Sequence, residues 1–340
     1  MSNNSYWNVT EYKIQEALWT FLSPFLIVVG DVGSLLSVVV LNQHKLSRFR
    51  SSTFTYLKYL ALGDILLLNG CLFPDWINYA FNVNIRKYSI GCKIHSFLVY
   101  LSTDFTNWIL VAVSIDRCIA VCLPLKARTY DHFQICKATI SALFVVMTAL
   151  NVHLFWNMET SDQEEPCVEA NHFTSHVWPW IDFCVFCVLP FLIMFSCNVL
   201  LLRAITKSRK KAFSYRDSKT SITNDIRKEG VTARRSSHLT KMLLTVSSVF
   251  LVLTFPIITV ELPRSLFFNA DSQGKQFARY KLAWTIGNML QYVNSAGHFF
   301  MYFLTCPSFR DELKCLVCKC KRNSTMPRGK VSTVSLSPLS

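Results

Sequence analysis

The chain is predicted to be an all-α membrane protein, a seven-transmembrane helix bundle followed by a short C-terminal membrane-surface helix. Three observations predict this. Of its 340 residues, 51% are hydrophobic and only 16% are charged. The apolar residues gather into seven long blocks, each near the roughly 20 residues that cross about 30 Å of hydrocarbon at about 1.5 Å rise per residue. The formal net charge of +14 comes from Lys and Arg lying in the gaps between these blocks, which argues against a nucleic-acid partner. Gly 10 and Pro 11, with no triplet repeat, exclude a collagen-like or low-complexity chain.

In chain order the spans are expected at Trp19 to Leu41, Phe54 to Asn78, Lys93 to Val121, Ile135 to Phe155, Val177 to Leu202, Thr240 to Leu262 and Leu282 to Leu304. Residues 1–18 then form an outer segment, 19–304 the bundle, and 305–340 the surface helix and tail. Pro74, Pro190 and Pro256 fall inside spans, where each removes an intrahelical hydrogen bond and permits a bend.

Orientation follows from the basic residues. Lys45, Arg48 and Arg50 occupy the first gap, eleven Lys and Arg from Arg203 to Arg235 the fifth, and seven from Arg310 to Lys330 the tail, so these face the cytoplasm. The fourth gap holds Glu159, Asp162, Glu164, Glu165 and Glu169 without Lys or Arg, and faces out. Seven spans then put the N-terminus outside, in keeping with glycosylation triplets starting at Asn3 and Asn8. The first span is read as an uncleaved anchor. Of 13 cysteines, only Cys92 and Cys167 combine the oxidising side with plausible proximity, and they are expected to be bonded. Cys315, Cys318 and Cys320 lie among lysines just after the last span, where palmitoylation is expected.

Ionisable side chains inside spans mark function. Asp64, Asp75, Asp104 and Asp182 lie within the second, third and fifth spans, Glu261 at the outer end of the sixth, and Asp116-Arg117 at the inner end of the third. The 25 residues from Cys92 to Arg117 measure about 37 Å of helix, so one straight helix carries a disulfide at the outer rim and an arginine at the inner mouth.

These residues resemble the rhodopsin-like G-protein-coupled receptors over about Val29 to Arg310. Leu60-Ala61-Leu62-Gly63-Asp64 fits the second helix; Cys92, Asp116-Arg117-Cys118 and Pro124-Leu125 fit the third helix and the loop after it. Pro190 fits the fifth helix, Phe250 with Pro256 the sixth, and Asn294-Ser295, Tyr302 and Phe309-Arg310 the seventh helix and the surface helix. Several positions depart from the pattern: Ser34, Phe144, Asn198, Leu253-Thr254 and His298-Phe299 replace usual residues, and Ser236 stands where some relatives carry an acid that locks Arg117. The departures argue against a standard sodium pocket at Asp64, Thr106, Asn294, Ser295 and His298. The seventh helix without its proline, and the run around Phe250, look most similar to invertebrate FMRFamide-like neuropeptide receptors.

The resemblance implies a receptor rather than an enzyme, in the plasma membrane, needing no cofactor or metal. Agonist would bind in an outer cup, and the sixth helix would swing out about Pro256, with Asp64, Phe250, Asn294, Ser295, His298 and Tyr302 as switch residues. Asp116, Arg117 and Leu125 would meet a heterotrimeric G protein, and tail serines and threonines would serve receptor kinase and arrestin. Val99 stands where amine receptors carry an acid, and Tyr292 where opsins carry a lysine, so neither ligand fits. Asp75, Asp104, Asp182 and Glu261, with Val99 and Tyr292, instead suggest a cationic neuropeptide. A chemosensory or small-molecule receptor remains the alternative. A secondary transporter is disfavoured because no internal repeat appears, and a hydrolase because the eight histidines are scattered with no His-Glu-x-x-His. His172 and His176, four apart, are read as a solvated loop rather than a zinc site. Basic residues at the inner helix ends suit anionic membrane lipid.

Overall fold

The computed structural model describes residues 10–43, 52–123, 131–161, 167–216, 240–257, 259–260 and 275–317. Asn3, Asn8, Leu125, Ser236, Glu261, Cys318 and Cys320 lie outside them. Six long apolar helices have the length and composition to cross a membrane: α1 Thr10–Leu41, α2 Ser52–Phe81, α3 Ser89–Cys122, α4 (His132–Asn151, continued by a turn at Leu154–Asn157), α5 Phe173–Lys207 and α6 Thr240–Ile257. The seventh, α7 Lys275–Thr305, is equally long, but Asn288, Gln291, Asn294, Ser295 and His298 dilute its hydropathy. Three of those, Asn294, Ser295 and His298, are buried, so the polarity faces the bundle interior. A surface helix, α8 Pro307–Val317, follows.

Helix α1 starts at Thr10 rather than Trp19 because its first turns are polar and held by neighbours, which a search for apolar length passes over. Gln15 Nε2 donates to Tyr79 Oη at 3.1 Å, and Glu11 pairs with Arg279 at 3.6 Å. Helix α2 ends where Asn82 takes a left-handed conformation (φ 57°), its N–H closing on the Asn78 carbonyl at 3.0 Å. Asn84 caps the next turn by accepting from Arg86 N at 2.9 Å, and the chain enters α3.

Four prolines set the shape of the outer half. Widened π-helical turns at Leu18–Leu22, Leu68–Leu72, Phe173–Val177 and Phe183–Val188 each end two residues before Pro24, Pro74, Pro179 or Pro190. A proline leaves the preceding turn one donor short, and in hydrocarbon no water replaces it. At the turns before Pro24 and Pro190, side chains from neighbouring helices supply donors instead. Trp76 Nε1 reaches the Thr20 carbonyl at 3.2 Å, Asn107 Nδ2 the Phe186 carbonyl at 3.1 Å, and Trp108 Nε1 the Val185 carbonyl at 3.1 Å.

The core has an inner and an outer part. The inner one gathers Leu57, Leu60, Ile109, Met194, Val246, Phe250, Tyr302 and Phe309 from helices α2, α3, α5, α6, α7 and α8. The outer one gathers Trp19, Leu68, Met289 and Tyr292. A two-stranded antiparallel hairpin, β1 Met158–Thr160 and β2 Cys167–Glu169, lies over the outer end of α3 with Thr160 opposite Cys167. The Cys92–Cys167 disulfide, Cα atoms 5.5 Å apart, ties it there, as the sequence predicts.

Backbone approach at the top of α3 gives a test. A Cβ on Gly91 would sit 2.1 Å from the Ile85 carbonyl oxygen, whereas one on Gly70 would meet only Leu98 side-chain atoms at 3.6 Å. Gly91→Ala is expected to cost about 1–3 kcal/mol, read as a lower thermal midpoint of the purified chain, and Gly70→Ala to leave that midpoint unchanged.

Candidate functional site

Three polar or aromatic clusters lie along the bundle axis. At the outer end, the widened turn of α1 drives Trp19 into the interior, where it is 1% exposed and donates through Nε1 to Thr285 Oγ1 at 3.3 Å. Its ring stacks on Tyr79 at 5.5 Å and lies 6.4 Å from both Trp284 and Tyr292. Val99 and Trp76 pack against this group. The result is a packed aromatic cluster from α1, α2 and α7 in which Tyr292 is buried and against which Val99 of α3 packs.

The carboxylates expected around the cup divide. Asp75 sits at the rim, paired with Arg86 at 3.0 Å. Asp182 is half-buried at the end of the turn Trp178–Asp182. Asp104 corrects the expectation that it lines the cup: it is 1% exposed, and its Oδ2 accepts from Asn151 Nδ2 of α4 at 3.0 Å. Helical geometry explains the difference, since five residues at about 100° each turn Asp104 roughly 140° away from Val99.

At mid-bundle Asp64 is completely buried and meets His298 Nδ1 at 2.7 Å. His298 Nε2 lies 3.5 Å from Asn294 Nδ2, and Tyr302 stacks on the imidazole at 6.2 Å. Ser295 is buried in the same stretch of α7, while Thr106 Oγ1 donates to its own helix at Ser102 O, 2.8 Å away. The imidazole thus stands against the carboxylate where the resemblance would place a sodium ion. Phe250 is buried in the inner core, and Pro256 lies in α6 between the exposed Phe255 and the buried Ile257.

At the inner end Arg117 is held by its neighbour. Its Nε and Nη2 contact Asp116 Oδ2 at 3.0 and 2.5 Å, and Nη2 also donates to Ser52 Oγ at 3.2 Å. Ser52 donates in turn to Asp116 Oδ2 at 2.9 Å, and His132 Nδ1 lies 3.5 Å from Oδ1. The Arg117 side chain is only 13% exposed. Beside it a cleft of about 500 Å³ opens between α2, α3 and α4, lined by Tyr56, Trp108, Ile115 and Ile135. Cys315 lies half-buried in α8.

The match to known proteins is consistent with this arrangement. Residues 34–297 match the family model described as "7 transmembrane receptor (rhodopsin family)". The chain belongs to that family. This receptor is similar to the human thyrotropin-releasing hormone receptor, with 26% identity over 87% of this chain and 76% of the relative. It is also similar to neurotensin receptor type 1 of Rattus norvegicus, 24% identical over 93% of this chain and 80% of the relative. The FMRFamide receptor of Drosophila melanogaster is 23% identical over 83% of this chain and 50% of its own length.

Sequence reasoning missed several residues of the receptor. Trp19, expected to open the first span, lies at the centre of the buried outer aromatic cluster. Ser52, Asn151 and Arg86, the partners of the three acids, carry no motif of their own. Asp31 was recognisable: it is a carboxyl in the middle of the first apolar block, and it accepts from Asn69 Nδ2 of α2 at 2.9 and 3.0 Å.

Two outcomes follow from the inner clusters. Asp116→Asn weakens the hold on Arg117 and is expected to raise ligand-free nucleotide exchange on a G protein several-fold, with Arg117→Ala abolishing the increase. His298→Ala leaves the buried Asp64 without its imidazole partner and is expected to destabilise the receptor by about 3–5 kcal/mol, the scale for breaking a buried pair, measured as thermal unfolding in detergent.

Proposed function

We propose that the protein is a plasma-membrane receptor for a cationic neuropeptide, with its N-terminus outside, and that it signals to heterotrimeric G proteins. The observations that support this reading are the buried aromatic cluster of Trp19, Tyr79, Trp284 and Tyr292, the Asp75–Arg86 pair on the same helix as Tyr79, and the hairpin tied to α3 by its disulfide. Asp75 already holds a guanidinium, that of Arg86. An arginine of the ligand reproduces the same charge-assisted pair and gains strength away from bulk water. The indole and phenol faces of Trp284, Tyr292 and Tyr79 suit both a cation and a peptide's apolar side chains. The three relatives carry the names of receptors for thyrotropin-releasing hormone, neurotensin and FMRFamide, all peptides.

Binding in the cup favours the packing in which α6 swings outward about Pro256, releasing Arg117 and opening the inner crevice, with Leu125 as a further G-protein contact. Driving such an equilibrium from 1:99 to 99:1 takes about 5.5 kcal/mol of differential affinity, within the roughly 12 kcal/mol of a nanomolar ligand. Palmitoylation at Cys315, Cys318 and Cys320, glycosylation at Asn3 and Asn8, and kinase and arrestin action on the tail belong to the same reading.

A screen of amidated peptides against cells reporting calcium and cyclic AMP identifies an agonist. With an arginine-bearing agonist, Asp75→Asn, Asp182→Asn and Glu261→Gln are each expected to lower potency about 10- to 100-fold, the worth of a hydrogen bond to a charged group. Undiminished potency in all three variants would refute the cationic ligand.

A further inference from the structure

Three thiols meet at the inner end of the bundle, beside the stretch of α3 that carries Arg117. Cys118 Sγ lies 3.9 Å from Cys122 Sγ on the same helix. Cys197 of α5 is in hydrogen-bond contact with Cys118. The three differ in accessibility: Cys122, the last residue of α3, is exposed, Cys118 is half-buried and Cys197 is buried. The hold of Asp116 and Ser52 on Arg117 uses none of these sulfurs.

Packing alone asks only for a small apolar side chain at such positions, and a single free cysteine meets that need. Sulfur in contact with sulfur adds chemistry. An accessible thiol with a second thiol beside it is the arrangement of a redox-sensing cysteine and its resolving partner. Thiols on the cytosolic side are kept reduced, so a disulfide formed there is transient and regulatory rather than structural.

We propose that Cys118, Cys122 and Cys197 form a peroxide-sensitive modification site, at which oxidation enters through Cys122 and ends as a disulfide between Cys118 of α3 and Cys197 of α5. Cys122 Sγ attacks one oxygen of hydrogen peroxide, the O–O bond breaks, and water departs to leave a sulfenic acid. Cys118 Sγ then displaces the sulfenic hydroxyl, which leaves with the Cys118 thiol proton as a second water. The bond so formed joins residues four apart on one helix, whose Cβ atoms stand about 5–6 Å apart, beyond the roughly 3.5–4.5 Å that a disulfide spans. Cys197 comes from a facing helix and is free of that spacing. Its Sγ attacks Cys118 Sγ, and Cys122 leaves as a thiolate that takes up the proton Cys197 gives up. The net change oxidises two thiols, reduces peroxide to two waters and restores Cys122. A dithiol reductant reverses it.

The bond ties α3 to α5 one residue from Arg117, in the packing where that side chain is only 13% exposed. Oxidation therefore holds the arginine in its concealed state. This consequence rests on the receptor reading above, whereas the disulfide itself does not.

The test exposes the full chain in cell membranes to graded hydrogen peroxide, blocks the remaining thiols by alkylation and maps peptides without reductant. A linked Cys118–Cys197 peptide is expected, lost on treatment with dithiothreitol and absent from Cys197→Ala. Cys122→Ala is expected to slow its appearance at least five-fold, and an unchanged rate overturns the entry through Cys122. Where Cys197→Ala fails to reach the surface, Cys118→Ala and the mapping of the native chain decide the matter. No linked peptide, a glutathione adduct on Cys122 alone, or a bond confined to Cys118 and Cys122 overturns the proposal. Ligand-free nucleotide exchange on a G protein is expected to fall at least two-fold on oxidation and to recover with dithiothreitol. Unchanged exchange beside an intact linkage overturns the consequence for Arg117 and leaves the site standing.

Discussion

A polar group in hydrocarbon has no water to turn to, and this constraint organises the whole molecule. Two of the proline-widened turns and the carboxylates Asp64, Asp104 and Asp116 find their partners on another helix. The partners therefore double as ties. Asp64 joins α2 to α7 through His298, Asp104 joins α3 to α4 through Asn151, and Asp116 joins α3 to α2 through Ser52. Asn107 and Trp108 extend the same logic from α3 to the carbonyls of α5. Helix α3 takes part in most of these ties, which is why its central position holds without any apolar patterning of unusual strength. The price of leaving such a group unmatched fixes which faces of the helices meet.

The features legible in the sequence were those set by length, compartment or sign of charge. Seven apolar blocks gave the helices to within a few residues at most ends. Cys92 and Cys167 were identifiable because the other cysteines lie in spans or on the basic side. Direction of a side chain around its helix was harder to read. Asp104 and Val99 both look like interior positions of α3, yet they point to different neighbours, and only the presence of Asn151 on α4 decides which. The start of α1 was hidden for a related reason: Thr10–Ala17 is polar and is held by Tyr79 and Arg279, residues distant in sequence. Asp31 escaped notice although the cost of a mid-membrane carboxyl pointed straight to it.

The replacement of the usual proline of the seventh helix by Phe299 bears on how the outer and inner ends communicate. Helix α7 runs unbroken from Lys275 to Thr305, so Thr285 and Tyr292 at the outer aromatic cluster, His298 at mid-bundle and Tyr302 against Phe309 of α8 belong to one rod. From Thr285 to His298 is 13 residues, about 20 Å, with no bulge or proline to absorb a displacement. Helix α2 is built the opposite way. Its widened turn at Leu68–Leu72 and Pro74 separate the rim residues Asp75, Trp76 and Tyr79 from Asp64. The two helices that meet at Asp64 and His298 are thus built differently, α2 with a widened turn and a proline above the contact and α7 without either. The 2.7 Å contact between them joins the unbroken α7 to the part of α2 that lies below its widened turn.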